Sequence, residues 1–312
     1  MHIISLVVPV FNEERGLDVF YKAICGAVSK REEAFELIFV NDGSSDRSLE
    51  KLLNIHRIDS RVKIIDFSRN FGHQNALTAG IDFATGDAVI LMDADMEDPP
   101  DKICDFLEYW KKGYDVVYAV RKKRKVTVIK RILFALFHKI NRMISDIPIP
   151  DATGIFGLMD RKIVNIIKII PEKNRYIPGL RAWAGLKQIG LEVERGERYD
   201  KNPRVSTRKL IKLAFDSYIS FSKIPLKIAT ILGIVFFVLS VIGIFIIIVL
   251  KFTIGLQPLG WASIVMLILF ATGIQLVTIG IIGEYIGRIL DEVKNRPVYI
   301  VRQAIGFDKS RK

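Results

Sequence analysis

The first 120 residues alternate between short apolar runs and longer segments with helical spacing. Residues 3–10, 37–40, 62–67, 88–92 and 116–120 are rich in β-branched and aliphatic side chains and read as strands. Between them, roughly 13–28, 46–56, 72–84 and 101–111 repeat their apolar positions with the period of a helix. This alternation predicts an α/β domain with a mostly parallel sheet and helices on both faces. Ligands of such sheets bind at the carboxyl ends of the strands, so polar motifs are expected there. The strand ends read PVFNEE, VNDGSSD, FSRNFGHQN, MDADMED and VRKKRK, which meets that expectation.

The pattern changes in the second half. Residues 228–250 carry no charge, lie between Lys227 and Lys251, and are followed by a second uncharged stretch that ends at Glu284. A bilayer crossing takes about 20 apolar residues, so the pattern predicts two transmembrane helices. Cations cluster at 201–227 and again beyond the second span, while the loop between the spans holds only Lys251. Positive-inside logic then puts both large termini in the cytoplasm at the inner or plasma membrane. Seven cations between Arg121 and Arg131 adjoin the amphipathic ILFALFHKINRMI, and VSTRKLIKLAFDSYISFS at 205–222 is a second amphipathic stretch. Each reads either as a solvated basic face or as a helix lying at the membrane surface. The expected organisation is a cytoplasmic α/β domain at 1–204, a juxtamembrane amphipathic helix at 205–227, a transmembrane hairpin at 228–283 and a cytoplasmic tail at 284–312.

Composition agrees with a membrane protein. Half of the residues are hydrophobic, and mean hydropathy is +0.27. The formal charge of +12 suits anionic lipid and lipid phosphate, given the spans, rather than nucleic acid. Cys25 and Cys104 form neither a disulfide framework nor a metal-ligand spacing.

Asp93-Ala94-Asp95 directly follows a strand. Two carboxylates so placed can reach a hard cation, Mg²⁺ or Mn²⁺, together with the diphosphate it bridges. The competing reading is an acidic turn leading into the next helix. Asp42 in VNDGSSD is either turn chemistry or a carboxylate for a base or ribose, with Gly43 permitting close backbone approach. Asn12 and Glu13 carry the same two readings.

The ordered motifs VPVFNEE, VNDGSSD, SRNFGHQNALTAGIDFATGD and MDADMEDPP resemble the inverting glycosyltransferases of family two, which have the nucleotide-sugar-binding GT-A fold. DATGIFGLMDR, GLRAWAG, the two spans and GEYIGRILDEVKNRPVYIV are similar to the polyisoprenyl-phosphate glycosyltransferases, above all the bactoprenol glucosyltransferase branch. The resemblance implies that Pro9, Phe11, Glu13, Asp42 and Ala94 belong to the donor pocket. Asp93 and Asp95 would hold the cation, with Glu97 where the family usually carries Gln. Asp95, Asp151 and Arg121 would be catalytic. Arg121 and Arg131 would face the acceptor phosphate, helped by Arg204, Ser206 and Lys209. Ile155 departs from the bacterial pattern, which has an aspartate there, and leaves Asp151 as the nearest carboxylate. KNPRVSTRKL matches its family counterpart only loosely. The expected reaction is inverting transfer of glucose from UDP-glucose to undecaprenyl or dolichyl phosphate. The alternatives are mannose or an amino sugar as the donor sugar, or a silent nucleotide-sugar-binding scaffold. A homo-oligomer is expected, since it would give the spans partners.

Overall fold

Seven of the eight residues of β1 (Ile3–Val10, IISLVVPV) are buried. An apolar run covered on both faces belongs in the middle of a parallel sheet. β1 pairs in parallel with β2 (Ala34–Asn41) on one side and β4 (Ala88–Leu91) on the other, and β2 pairs in parallel with β3 (Val62–Phe67). The connections run through α1 (Leu17–Val28), α2 (Ser48–Ile58) and α3 (His73–Phe83). The computed structural model describes residues 1–29, 31–121, 153–173, 175–194, 196, isolated positions from 231 to 253, and 260–307.

After α4 (Lys102–Lys111), β5 (Val116–Arg121) pairs antiparallel with β6 (Thr153–Asp160), which is also antiparallel to β4. Asp160 ends that strand and caps α5 (Arg161–Ile169), its carboxylate accepting from Lys162 N at 2.9 Å. α6 (Ile177–Trp183) then leads to β7 (Gln188–Val193), parallel to β5. The last strand, β8 (Val301–Ile305), lies antiparallel against β3. The order across the eight-stranded sheet is β7-β5-β6-β4-β1-β2-β3-β8. β1–β5 and β7 share one direction, while β6 and β8 run against it.

Apolar clusters cover both faces. Phe20, Ile24, Phe39, Leu52, Phe106 and Phe156 pack on one, and Ile38, Ile65, Leu77, Ile163 and Ile167 on the other. The α/β class and mostly parallel sheet thus follow the strand–helix pattern. β6, β7 and β8 lie beyond the strands that pattern suggested.

The chain divides into two compact units, Met1–Ser206 with Pro297–Lys312, and Thr207–Arg296. The second unit contains α7 (Trp261–Val293), a 33-residue helix. Among the described residues one helical stretch, Phe270–Val293 of α7, is long and apolar enough to cross a membrane, and none of it is buried inside the protein. Of the other expected span, the described positions between 231 and 253 are helical and the remainder lie outside the described residues.

Candidate functional site

β1 has β2 and then β3 on one side and β4 on the other, so successive crossovers leave it in opposite directions. At such a switch point the loops at the carboxyl ends part and open a crevice. Phe11, Asn12 and Glu13 leave β1 there, and Asp93-Ala94-Asp95 leave β4 beside them. Phe11 is part-exposed, whereas Ala94 is buried. Pro9 lies within β1 opposite Val40.

The β1–α1 and β2–α2 loops are tied together. Asn12 N donates to Ser44 Oγ at 3.0 Å, Glu13 N to Ser48 Oγ at 2.9 Å, and Ser45 N to Asn12 Oδ1 at 2.8 Å. Asn12 holds a φ of 55°, a left-handed conformation that asparagine tolerates better than most residues. Deeper in the sheet, buried Asn41 donates to Asp66 Oδ1 at 2.7 Å and accepts from Ser44 N at 3.4 Å.

Asp42 is buried and its carboxylate is engaged by backbone. Phe71 N donates to one oxygen at 2.6 Å and Gly72 N to the other at 3.0 Å, both at the start of α3. Burial pushes its pKa above the ordinary value, with these N–H groups and the charges of His73 and Arg69 opposing the rise. Gly43 has a φ of 63°, and a Cβ there would stand 2.4 Å from the Arg69 carbonyl carbon. The close approach this glycine permits is therefore to the β3–α3 loop.

The DAD turn meets the same loop from the other side. His73, the first residue of α3, places Nε2 3.3 Å from Asp93 Oδ1. The start of α3 thus touches both Asp42 and Asp93, a junction that nothing in the spacing of these residues suggests. Asp95 Oδ1 accepts from Glu97 N at 3.1 Å. Met96 between them has a φ of 62°, an uncommon conformation for a residue with a long side chain. Gly196 N donates to Glu97 O at 2.9 Å, so the chain returns to this turn after β7. Two neighbouring carboxylates at a strand end fit a hard divalent cation that draws its other ligands from phosphate and water. Among the described residues no group of three His, Cys, Asp or Glu side chains is placed to hold a metal ion, so Asp93, Asp95 and Glu97 are not gathered into a three-residue set.

Arg121 ends β5 opposite Val193, at the edge where the other parallel strands end. Asp151, Arg131, Arg204, Ser206 and Lys209 lie outside the described residues. Ile155 packs against an apolar cluster. A cation without an assigned role stands nearby. Buried Arg181 donates to Gly154 O at 3.2 Å and lies over the Tyr118 ring, 5.0 Å from its centre. Burial lowers its pKa to about 10, leaving it charged at neutral pH. The GLRAWAG motif contains this arginine, but its sequence neighbours do not reveal a packing partner on β5.

Residues 5–167 match the model of Glycosyl transferase family 2. The chain belongs to that family. It is 46% identical over 308 residues to the glycosyltransferase YkcC of Bacillus subtilis (strain 168), covering 98% of this chain and 95% of that protein. It is 40% identical to the bactoprenol glucosyl transferase of Shigella phage SfII over 307 residues, covering 96% of this chain and 98% of the relative. Among solved structures, the mannosyltransferase PcManGT from Pyrobaculum calidifontis in complex with GDP-Man and Mn²⁺ aligns with a TM-score of 0.46 at 16% identity, over 64% of this chain and 57% of that one.

Proposed function

We propose that this family 2 glycosyltransferase moves glucose from UDP-glucose to a polyisoprenyl phosphate of the bactoprenol type, with inversion at the anomeric carbon. The observation that carries the reading is full-length identity of 40% to a bactoprenol glucosyl transferase. The acidic turn at the sheet's switch point is compatible with it.

The acceptor phosphate oxygen attacks the anomeric carbon, and the nucleoside diphosphate leaves with the bonding electron pair. A phosphate is already anionic near neutral pH, so a strong general base is unnecessary. Ile155 in place of a carboxylate is therefore tolerable. Asp93 and Asp95 would hold Mg²⁺ or Mn²⁺, which supplies charge neutralisation for the departing diphosphate. The protein's task is positioning. Phe11, Glu13 and the Asp42 loop face the donor side. Arg121, with Arg131, Arg204, Ser206 and Lys209, serves the acceptor phosphate, and Asp151 orients one of these cations.

The acceptor's tail stays in lipid, which accounts for an apolar helix in the same chain. β8 shares a sheet with β1–β5, so the stretch between β7 and β8 crosses the membrane an even number of times. If α7 crosses once, residues 228–250 supply the other crossing, and the sheet unit stays on one side, which the cations flanking the two stretches assign to the cytoplasm.

The test offers radiolabelled UDP-glucose, with Mg²⁺ or Mn²⁺, to membranes carrying the full chain and undecaprenyl phosphate. Label should enter a lipid cleaved by mild acid, and Asp95→Ala should remove it. Label arriving from GDP-mannose or UDP-GlcNAc instead would replace the sugar. No label from any donor, with folded protein, would leave the scaffold reading.

A further inference from the structure

β8 is joined to β3 with one irregularity. Ile64, Ile65 and Asp66 face Ile305, Ala304 and Gln303 in order, but Phe67 faces Val301, so Arg302 is an extra residue in the ladder. Bulges of this kind re-aim a side chain and recur beside functional sites. Here Arg302 Nη2 donates to Ser68 O at 2.7 Å, and Nη1 lies 3.6 Å from Asp66 Oδ2. Both contacts lead to Asp42. Ser68 opens the loop whose Phe71 and Gly72 N–H groups bind the Asp42 carboxylate. Asp66 accepts from Asn41, the residue immediately before Asp42. Ser68 N also donates to Ile300 O at 3.0 Å, so the backbone of the returning segment supports the same loop.

We propose that Arg302, in the segment that follows α7, is a positioning residue for the nucleotide donor, because its bulged guanidinium fixes the β3–α3 loop and the Asp66–Asn41 pair on either side of Asp42. The proposal rests on the donor reading above. The arginine touches no substrate; it acts through the geometry of the loop. It also gives this C-terminal stretch a part in donor binding.

A nearby contact serves as a control. Tyr299 donates to Asp82 Oδ2 at 2.9 Å, in the last turn of α3, and its ring stacks on Phe67. Its hydroxyl ties the same segment to the sheet unit away from the donor loop. Arg302 is more than half exposed, so its replacement leaves the core packing in place.

The experiment measures binding of UDP with Mn²⁺, the donor KM, kcat and the melting temperature on the full chain in detergent. Wild type, Arg302→Ala, Arg302→Lys and Tyr299→Phe are compared. Arg302→Ala is expected to weaken UDP binding and raise the donor KM by about tenfold, while kcat at saturating donor stays within about twofold. Arg302→Lys keeps the charge and should recover most of the affinity. Tyr299→Phe should lower the melting temperature with UDP affinity unchanged. Unchanged affinity in Arg302→Ala, or losses in both variants that merely track their melting temperatures, would overturn the proposal. Wild-type protein that binds no UDP would instead sink the donor reading, and this proposal with it.

Discussion

Ile58 on α2 and Ile279 on α7 are both isoleucines on helices, and both are exposed, at 85% and 63%. Their surroundings differ. α2 buries Ser48, Leu52 and Ile55 against the sheet, and Ile58 is a single apolar residue at its end. α7 exposes Leu267, Ile268, Leu276, Val277, Ile282 and Ile289 as well. Scattered apolar residues on a protein surface need no explanation, but a helix apolar on many sides needs a partner or a non-aqueous solvent. α2 has the pattern of a helix packed on a sheet in water, and α7 that of a helix long and apolar enough for lipid. The proposed function places the chemistry in the first unit and the anchoring in the second.

The sharpest way to separate the two is Asp95→Ala. Transfer should fall about a thousandfold or more while the protein stays in the membrane fraction; lost membrane attachment would break the division. Next is the water-driven core. Phe39 is fully buried between β2 and α1, and Phe39→Ala should cost about 3–5 kcal/mol, read by denaturant titration. The same substitution in both helices tests the comparison directly. Ile279→Lys should disfavour insertion by about 2.5–3.5 kcal/mol on a translocon scale. Ile58→Lys should change stability by no more than about 0.5 kcal/mol. Equally small effects at both positions would mean that Ile279 faces water, as Ile58 does.

A further effect is one of pH. The Arg61 guanidinium beside Asp59 holds that carboxyl at about 2 in the folded chain. Unfolded aspartate titrates near 3.9, so the pair's contribution is present above that pH and fades as pH falls toward about 2. Asp59→Asn should flatten the acid limb of melting temperature against pH over that window. An unaltered limb would show that other carboxylates set it.

The central strands were legible because burial on both faces leaves an apolar run unbroken by charge. The pattern places β1 and β3 at the residues they occupy, and β2 short of its Ala34 start. β8 was not legible. VRQAI is an edge strand with Arg302 and Gln303 exposed, so burial imposes no alternation on it. β6, TGIFGLMD, carries two glycines and no clear period. The site divides along similar lines. The place of DAD at a strand's carboxyl end could be read from the sequence, and β4 ends at Leu91 just before it. The bonds from Phe71 and Gly72 to Asp42 span about thirty residues of sequence, and His73 meets Asp93 across two loops. Such contacts follow from the folded sheet, not from local spacing.

The place of β8 also sets an order of events during synthesis. Ser68 and Arg302, which meet at the β3 edge, are separated by 234 residues. At roughly 5–20 residues per second, the ribosome takes on the order of 10–50 s to make that interval. Until then β3 presents an open edge, the kind of surface that recruits other chains. The strand that covers it emerges only after α7 has been made. A nascent chain that stalls before β8 would therefore carry an uncovered β3 edge, a target for chaperones or for aggregation.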